Sequence, residues 1–205
     1  MHDLWLGMVE LLAPSRCVGC ELASVSVFCD GCEALVERAG SSSAVFHYGG
    51  PVADAIQRFK YRGRSELGRE LGALMADAMC GSAERVDAVV PVPLHWRRRR
   101  ARGYDQAALL AKPVARSLGV PLCAHGLRRV RATRSQVDLP HHERQANVMG
   151  AFAAFRLPKV ERVLLVDDVR TTGATLRSAA DAIRAGGVPE VRTLVLAARV
   201  LDGAT

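Results

Sequence analysis

From residue 163 the chain reads Val163-Leu164-Leu165-Val166, then Asp167-Asp168, then Val169-Arg170-Thr171-Thr172-Gly173-Ala174-Thr175. The four leading apolar residues suit a buried strand, and the apolar spacing from Ala174 to Ala185 predicts a helix. Such a strand delivers both carboxylates to its C-terminal end, the edge at which open α/β sheets take ligands. The following loop is small and hydroxylated. It leaves backbone N–H groups able to face a phosphate at the positive end of the next helix. Carboxylates repel that phosphate, so Asp167 and Asp168 are expected to meet hydroxyl groups or a metal instead. A sugar with vicinal hydroxyls at one end and a phosphate at the other satisfies both halves. The competing reading is an ordinary strand-to-helix turn with one of the two Asp residues as its cap.

This stretch resembles the phosphoribosyl diphosphate signature of type I phosphoribosyltransferases, in which an apolar strand, two acidic residues and a Thr-Gly-x-Thr loop follow one another. The resemblance implies that Asp167 and Asp168, as catalytic residues, hold the ribose 2- and 3-hydroxyls. It also implies that Thr171, Thr172, Gly173, Ala174 and Thr175 cradle the 5-phosphate. Magnesium is implied as well, because diphosphate is densely charged and travels with a hard cation held through oxygen. Purine-salvage relatives often carry an acidic residue at the position of Thr171, so a purine acceptor gains no support.

Outward from this motif, strands and helices alternate. Helices are predicted over 3–12, 52–61, 66–79 and 105–118, with Pro113 kinking the last or ending its first half. One or two helical turns could run over 34–38. Strands are predicted over 45–48, 86–92, 151–155, 162–166 and 191–198, and most of 120–147 reads as loop. The expectation is an α/β, type I phosphoribosyltransferase-like, mainly parallel sheet with helices on both faces. Hydrophobic residues at 49% and charged residues at 24% are ordinary globular proportions. No uncharged apolar run approaches the ~20 residues of a membrane helix, and no convincing signal peptide opens the chain, so a cytoplasmic protein is expected.

The positive charge is concentrated. Between Arg97 and Arg144 stand eleven Arg and one Lys against three acidic residues, a net of +9, while the remainder nets −2. Within that region Val89-Val90-Pro91-Val92-Pro93-Leu94-His95-Trp96 runs into Arg97, Arg98, Arg99, Arg100 and Arg102. A strand leading into guanidinium groups can clamp a diphosphate through paired N–H donors. One diphosphate cannot occupy all five, and two or three read as a solvated face. Arg128, Arg129, Arg131 and Arg134 read as part of a flexible loop able to close over the diphosphate.

Cys17-x2-Cys20 and Cys29-x2-Cys32 are separated by eight residues. Two such pairs supply the four thiolates of a closed tetrahedral zinc site, and disulfides or free thiols are the alternative. The expected organisation is a zinc-ribbon-like module over 1–43, folded by its metal, and a second domain over 44–205 beyond a linker at Ser41-Ser42-Ser43. Cys80 and Cys123 read as buried apolar residues.

Several stretches narrow the resemblance: the Pro-rich strand with its Arg run, Arg102-Gly103-Tyr104-Asp105-Gln106, Lys60-Tyr61-Arg62-Gly63, Glu143-Arg144 with Asn147, and the phosphate loop. Together with the cysteine module, they are similar to ComF proteins, which are competence-associated and phosphoribosyltransferase-like. The resemblance implies phosphoribosyl diphosphate as ligand, Arg97, Arg98 and Arg102 among its contacts, and single-stranded DNA or a DNA-uptake helicase as partner. Asp105 stands where that family commonly has Asn. Arg170 stands where an aliphatic residue is common, and reads either as a phosphate contact or as a solvent-facing side chain.

Overall fold

The computed structural model describes residues 15–80, 85–131 and 148–199. After a one-turn helix α1 (Asp30–Glu33), the elements are β1 (Arg38–Ser41), β2 (Ala44–His47), α2 (Gly50–Tyr61), α3 (Leu67–Met79) and β3 (Ala88–Pro91). There follow α4 (Trp96–Arg102), α5 (Gln106–Leu118), β4 (Leu127–Arg129), β5 (Phe152–Ala154), β6 (Arg162–Arg170), α6 (Ala174–Ala185) and β7 (Glu190–Ala198). Five strands form one sheet in the order β1-β2-β7-β6-β3. Only β1 against β2 is antiparallel; β2–β7, β7–β6 and β6–β3 are parallel. This is the type I phosphoribosyltransferase-like α/β arrangement.

Alternation along β6 explains the helices on both faces, because successive side chains of a strand point to opposite sides. Leu164 and Val166 join Phe59, Leu71, Met75 and Leu110 in one core. Val163 and Leu165 join Leu176, Ala179 and Ile183 of α6 in the other. A buried strand flanked by helices thus needs the unbroken apolar run that the sequence has.

Three local expectations are corrected. Helix α5 runs unbroken through Pro113, which lies against α3 where Gly72 leaves room: an added Cβ there would stand 2.8 Å from the Leu110 carbonyl oxygen and 2.9 Å from Pro113 Cγ. That close helix packing offsets the missing N–H. The turn expected over 34–38 forms earlier, at α1, and Arg38 instead opens β1, with Ser42 and Ser43 joining β1 to β2. Finally, part of the stretch read as loop is strand, since β4 pairs antiparallel with β5. The helix expected over 3–12, most of the basic loop beyond Arg131, and Glu143, Arg144 and Asn147 lie outside the described residues. No helix among the described residues is long and apolar enough to cross a membrane.

Candidate functional site

Strand β6 extends past both carboxylates, and Asp167 and Asp168 stand near its C-terminal end. Asp168, on the α2 side, accepts from the Lys60 ammonium at 2.8 Å, with side chains only 12% and 18% exposed. Burial works against the Lys60 charge, yet Asp168 and then Asp167 outweigh it and hold the amine above its ordinary value. Asp167 Oδ1 accepts from the Asp168 N–H at 2.8 Å. Burial first, and the neighbouring Asp168 second, push its carboxyl up to about 8.

That shift has a consequence for the protein without ligand. Between about pH 4 and 8 the Asp167 carboxyl keeps its proton in the fold and loses it in the unfolded chain. Folding therefore takes up a proton throughout this window, and the residue's contribution to stability falls as pH rises through it. Asp167→Asn should flatten this part of the profile, read from melting temperatures across the window. Coincident profiles for variant and wild type would contradict the assignment.

The loop after β6 turns at Gly173, whose φ of 73° lies in the left-handed region that glycine tolerates. Gly173 is also the N-cap of α6 and brings no capping side chain, so the first turn of the helix presents backbone N–H groups to the loop. Thr172 Oγ1 accepts from the Ala174 N–H at 3.3 Å, and Arg177 donates to the Thr172 carbonyl at 2.9 Å. Thr171 and Thr175, half-buried, complete the loop. The half-buried Arg170 donates from its guanidinium to Ser43 Oγ at 2.9 Å.

The arginine run is helix α4, capped by His95, whose Nδ1 accepts from the Arg97 N–H at 3.4 Å. Both oxygens of Asp105 serve the backbone here, Oδ2 accepting from Leu94 at 3.1 Å and Oδ1 from Ala108 at 3.3 Å. Burial pushes the Asp105 carboxyl up, and these two N–H groups act against it. Arg102 donates to Gln106 at 3.0 Å and lies over the Tyr61 ring at 4.9 Å. Arg97 lies over Trp96 at 5.3 Å. The run meets the acid pair through Arg129 of β4. Burial and the charge of Arg98 pull this guanidinium down to about 10, while Asp167 acts in the opposite sense.

The ligand atoms of Cys17, Cys20, Cys29 and Cys32 all lie within 4.8 Å of one another. A tetrahedron with metal–sulfur bonds of about 2.3 Å has sulfur–sulfur edges of about 3.8 Å, so the cluster fits a metal ion such as zinc. Cys17 is drawn down to about 6, because N–H groups of Cys29, Cys20 and Gly19 overcome the opposing effect of burial. Gly19 is required by its surroundings: an added Cβ would stand 2.8 Å from Pro51 Cβ and 2.9 Å from Cys32 Sγ. Cys123 is half-buried, but Cys80 is exposed, contrary to its apolar reading.

Three consecutive residues of α2 tie these parts together. Arg58, 7% exposed, donates to the Gly19 carbonyl of the cysteine loop. The Phe59 carbonyl accepts from the Tyr104 hydroxyl, next to Asp105, and Lys60 holds Asp168. Lys60 was not singled out as a site residue from sequence, although the Lys60-Tyr61-Arg62-Gly63 motif carried a signal. Arg129, read as part of a loop over the diphosphate, stands instead in β4. Replacing Lys60 by Met should cost roughly 2 kcal/mol near neutral pH, the penalty for an unpaired and mostly buried carboxylate discounted for its partial exposure. Denaturant melts of the variant and the wild type near neutral pH check the loss.

Residues 105–202 match the phosphoribosyl transferase domain family. Competence protein F of Haemophilus influenzae is 34% identical over 189 residues, covering 87% of this chain and 82% of that protein. DNA utilization protein YhgH of Escherichia coli K12 is 30% identical, covering 74% of this chain and 69% of its own. Among solved structures, the Bacillus subtilis glutamine phosphoribosylpyrophosphate amidotransferase complexed with ADP and GMP is 25% identical. It aligns with a TM-score of 0.44 over 64% of this chain and 26% of that one. With competence protein F matched along most of both chains, this protein belongs to the ComF family.

Proposed function

We propose that the protein binds phosphoribosyl diphosphate together with magnesium and transfers the phosphoribosyl group to an acceptor. The observation that carries this reading is the carboxylate pair near the end of β6, half-buried Asp167 and buried Asp168, followed by the Gly173 turn into α6. In this reading Asp167 and Asp168 accept from the ribose hydroxyls. Thr171, Thr172, Gly173, Ala174 and Thr175 supply N–H and hydroxyl donors to the 5-phosphate, and Arg97, Arg98 and Arg102 face the diphosphate. Arg170 ties β6 to Ser43 before β2 through one of its N–H groups, and its remaining donors face the phosphate. Asp167 and Asp168 would hold a magnesium ion, which would supply charge neutralisation for the departing diphosphate. The chain's own part is to fix the ribose and to place guanidinium groups where negative charge develops.

Lys60 gives Asp168 its counter-charge. When the ribose hydroxyls engage Asp168, the ammonium would be freed toward the substrate phosphates. Cys17, Cys20, Cys29 and Cys32 hold a structural zinc, which presumes the reducing conditions of the cytoplasm. We place the division between zinc module and transferase domain at residues 43 and 44. The test of the reading is competition: ribose 5-phosphate and inorganic diphosphate should each displace phosphoribosyl diphosphate, because each fills one half of the site. Displacement by neither fragment contradicts it.

A second reading, contact with single-stranded DNA, draws on exposed Trp96 and Tyr61 beneath Arg97 and Arg102. Such binding should be electrostatic, weakening with salt at a log-log slope of about −0.7 per phosphate contacted. Affinity that ignores salt, or that survives replacement of Arg97 to Arg100 by Gln, contradicts this reading.

A further inference from the structure

A cleft of about 470 Å³ opens at the same sheet edge as the phosphoribose loop, lined by Glu37, His47, Tyr48, Gly49, Gly50 and Arg199. Its position follows from the register. His47 of β2 and Arg170 of β6 both pair with Ala198 of β7, so the cleft's floor lies level with the end of β6. The Tyr48 N–H donates to the Ala198 carbonyl at 2.8 Å, and the Arg199 N–H to the Arg170 carbonyl at 2.9 Å. Two strand spacings, about 10 Å, separate β2 from β6.

The strand order β2-β7-β6-β3 puts this cleft on one flank of β6 and the arginine helix that follows β3 on the other. Displacement at ribose C1 brings the nucleophile in opposite the leaving group, and a rate gain from positioning requires both held in that alignment. With the ribose over β6 and the diphosphate toward the arginines, the face of C1 left for attack is turned toward the cleft.

The lining selects the chemistry of the guest. The Arg199 guanidinium carbon stands 4.9 Å from the centre of the Tyr48 ring, which makes a flat cationic shelf suited to a planar ring. Helix α2 begins at the cleft with Gly49 as its N-cap and no capping side chain, leaving the positive end of a 12-residue helix unanswered. An added Cβ at Gly50 would come no nearer than 3.6 Å to any atom, so backbone lies open there. Against these stands one carboxylate, that of exposed Glu37. Resting on the phosphoribosyl diphosphate reading, we propose that this cleft is the acceptor subsite. Its guest is a planar nitrogen nucleophile, a heterocycle or arylamine, that carries a carboxylate. The nitrogen lone pair forms the bond to C1, the C1–O bond breaks with its electrons leaving on diphosphate, and the displaced N–H proton passes to water through the open cleft.

The experiment begins with phosphoribosyl diphosphate alone, so that binding of the first substrate is established before any acceptor is added. Orotate and anthranilate are then titrated into the loaded protein beside their uncharged counterparts, uracil and aniline, with acceptor binding and diphosphate release as readouts. At least one carboxylated probe is expected to bind about tenfold or more tightly than its counterpart. Arg199→Gln is expected to remove most of that preference, since a charge-assisted contact is lost, while leaving the affinity for phosphoribosyl diphosphate unchanged. The proposal is overturned if loaded protein binds no carboxylated probe, binds the uncharged ones equally, or discriminates unaltered after Arg199→Gln. If phosphoribosyl diphosphate itself does not bind, the underlying reading falls and takes this proposal with it, an outcome visible at the first step.

Discussion

Asp167→Asn combined with Asp168→Asn should remove most of the thermal stabilisation that phosphoribosyl diphosphate and magnesium give the wild-type protein. Ligand at 100 times its dissociation constant adds about 2.7 kcal/mol to folding. For a chain of this size each kcal/mol moves the melting temperature by roughly 2 to 4 °C. The wild-type shift should thus be about 5 to 11 °C. The double variant keeps side-chain volume and deletes both negative acceptors. Because Asp168→Asn also leaves the Lys60 ammonium without its carboxylate, each protein's shift is read against its own ligand-free melting temperature, so that loss of the shift reports lost recognition. Inorganic phosphate separates the two halves of the site. Its smaller shift should be alike in both proteins, because the loop from Thr171 to Thr175 is untouched. A double variant that responds fully to phosphoribosyl diphosphate contradicts the role given to the carboxylates.

Cys17→Ser or Cys32→Ser should release the metal and lower the melting temperature by about 8 to 16 °C. Structural zinc binding in small modules is worth ~10–16 kcal/mol. If about 4 kcal/mol of that reaches global stability, the fall follows from the same scaling. The loss should not stay local. Cys17, Val18, Phe28 and Cys32 belong to the core that includes Phe46, Val52 and Phe59, and Phe28 packs edge-on against Phe46 with ring centres 6.0 Å apart. Arg58 carries the connection to within two residues of Lys60. Metal content and melting temperature measured on the same preparations check the expectation. A variant that loses its metal yet melts with the wild type would show the cluster to be ornamental to the fold.

The strand, turn and helix from Val163 to Ala185 were legible because their information is local. A buried strand, two carboxylates, a glycine turn and a helix follow one another without interruption, and α6 has the bounds that its apolar spacing predicts. The parallel sheet was legible for a similar reason, as alternating strand and helix patterns admit few other architectures. What escaped was nonlocal. Lys60 lies in the last turn of one helix and Asp168 near the end of a strand far along the chain, and no periodicity announces that pairing. Arg129 sits in a three-residue strand whose existence depends on β5. Pro113 is tolerated within α5 because of a glycine on another helix. The departure at Asp105 also became intelligible only in three dimensions. Both its carboxylate oxygens accept backbone N–H bonds, a task for which an Asn has one acceptor oxygen.

Isothermal titration of phosphoribosyl diphosphate into metal-replete protein with excess magnesium tests the central claim most directly. The expected result is saturable binding to one site per chain, competed by ribose 5-phosphate. Because burial and Asp168 raise the Asp167 carboxyl, binding near neutral pH should be accompanied by proton release. A folded protein that gives no saturable binding up to millimolar ligand would contradict it.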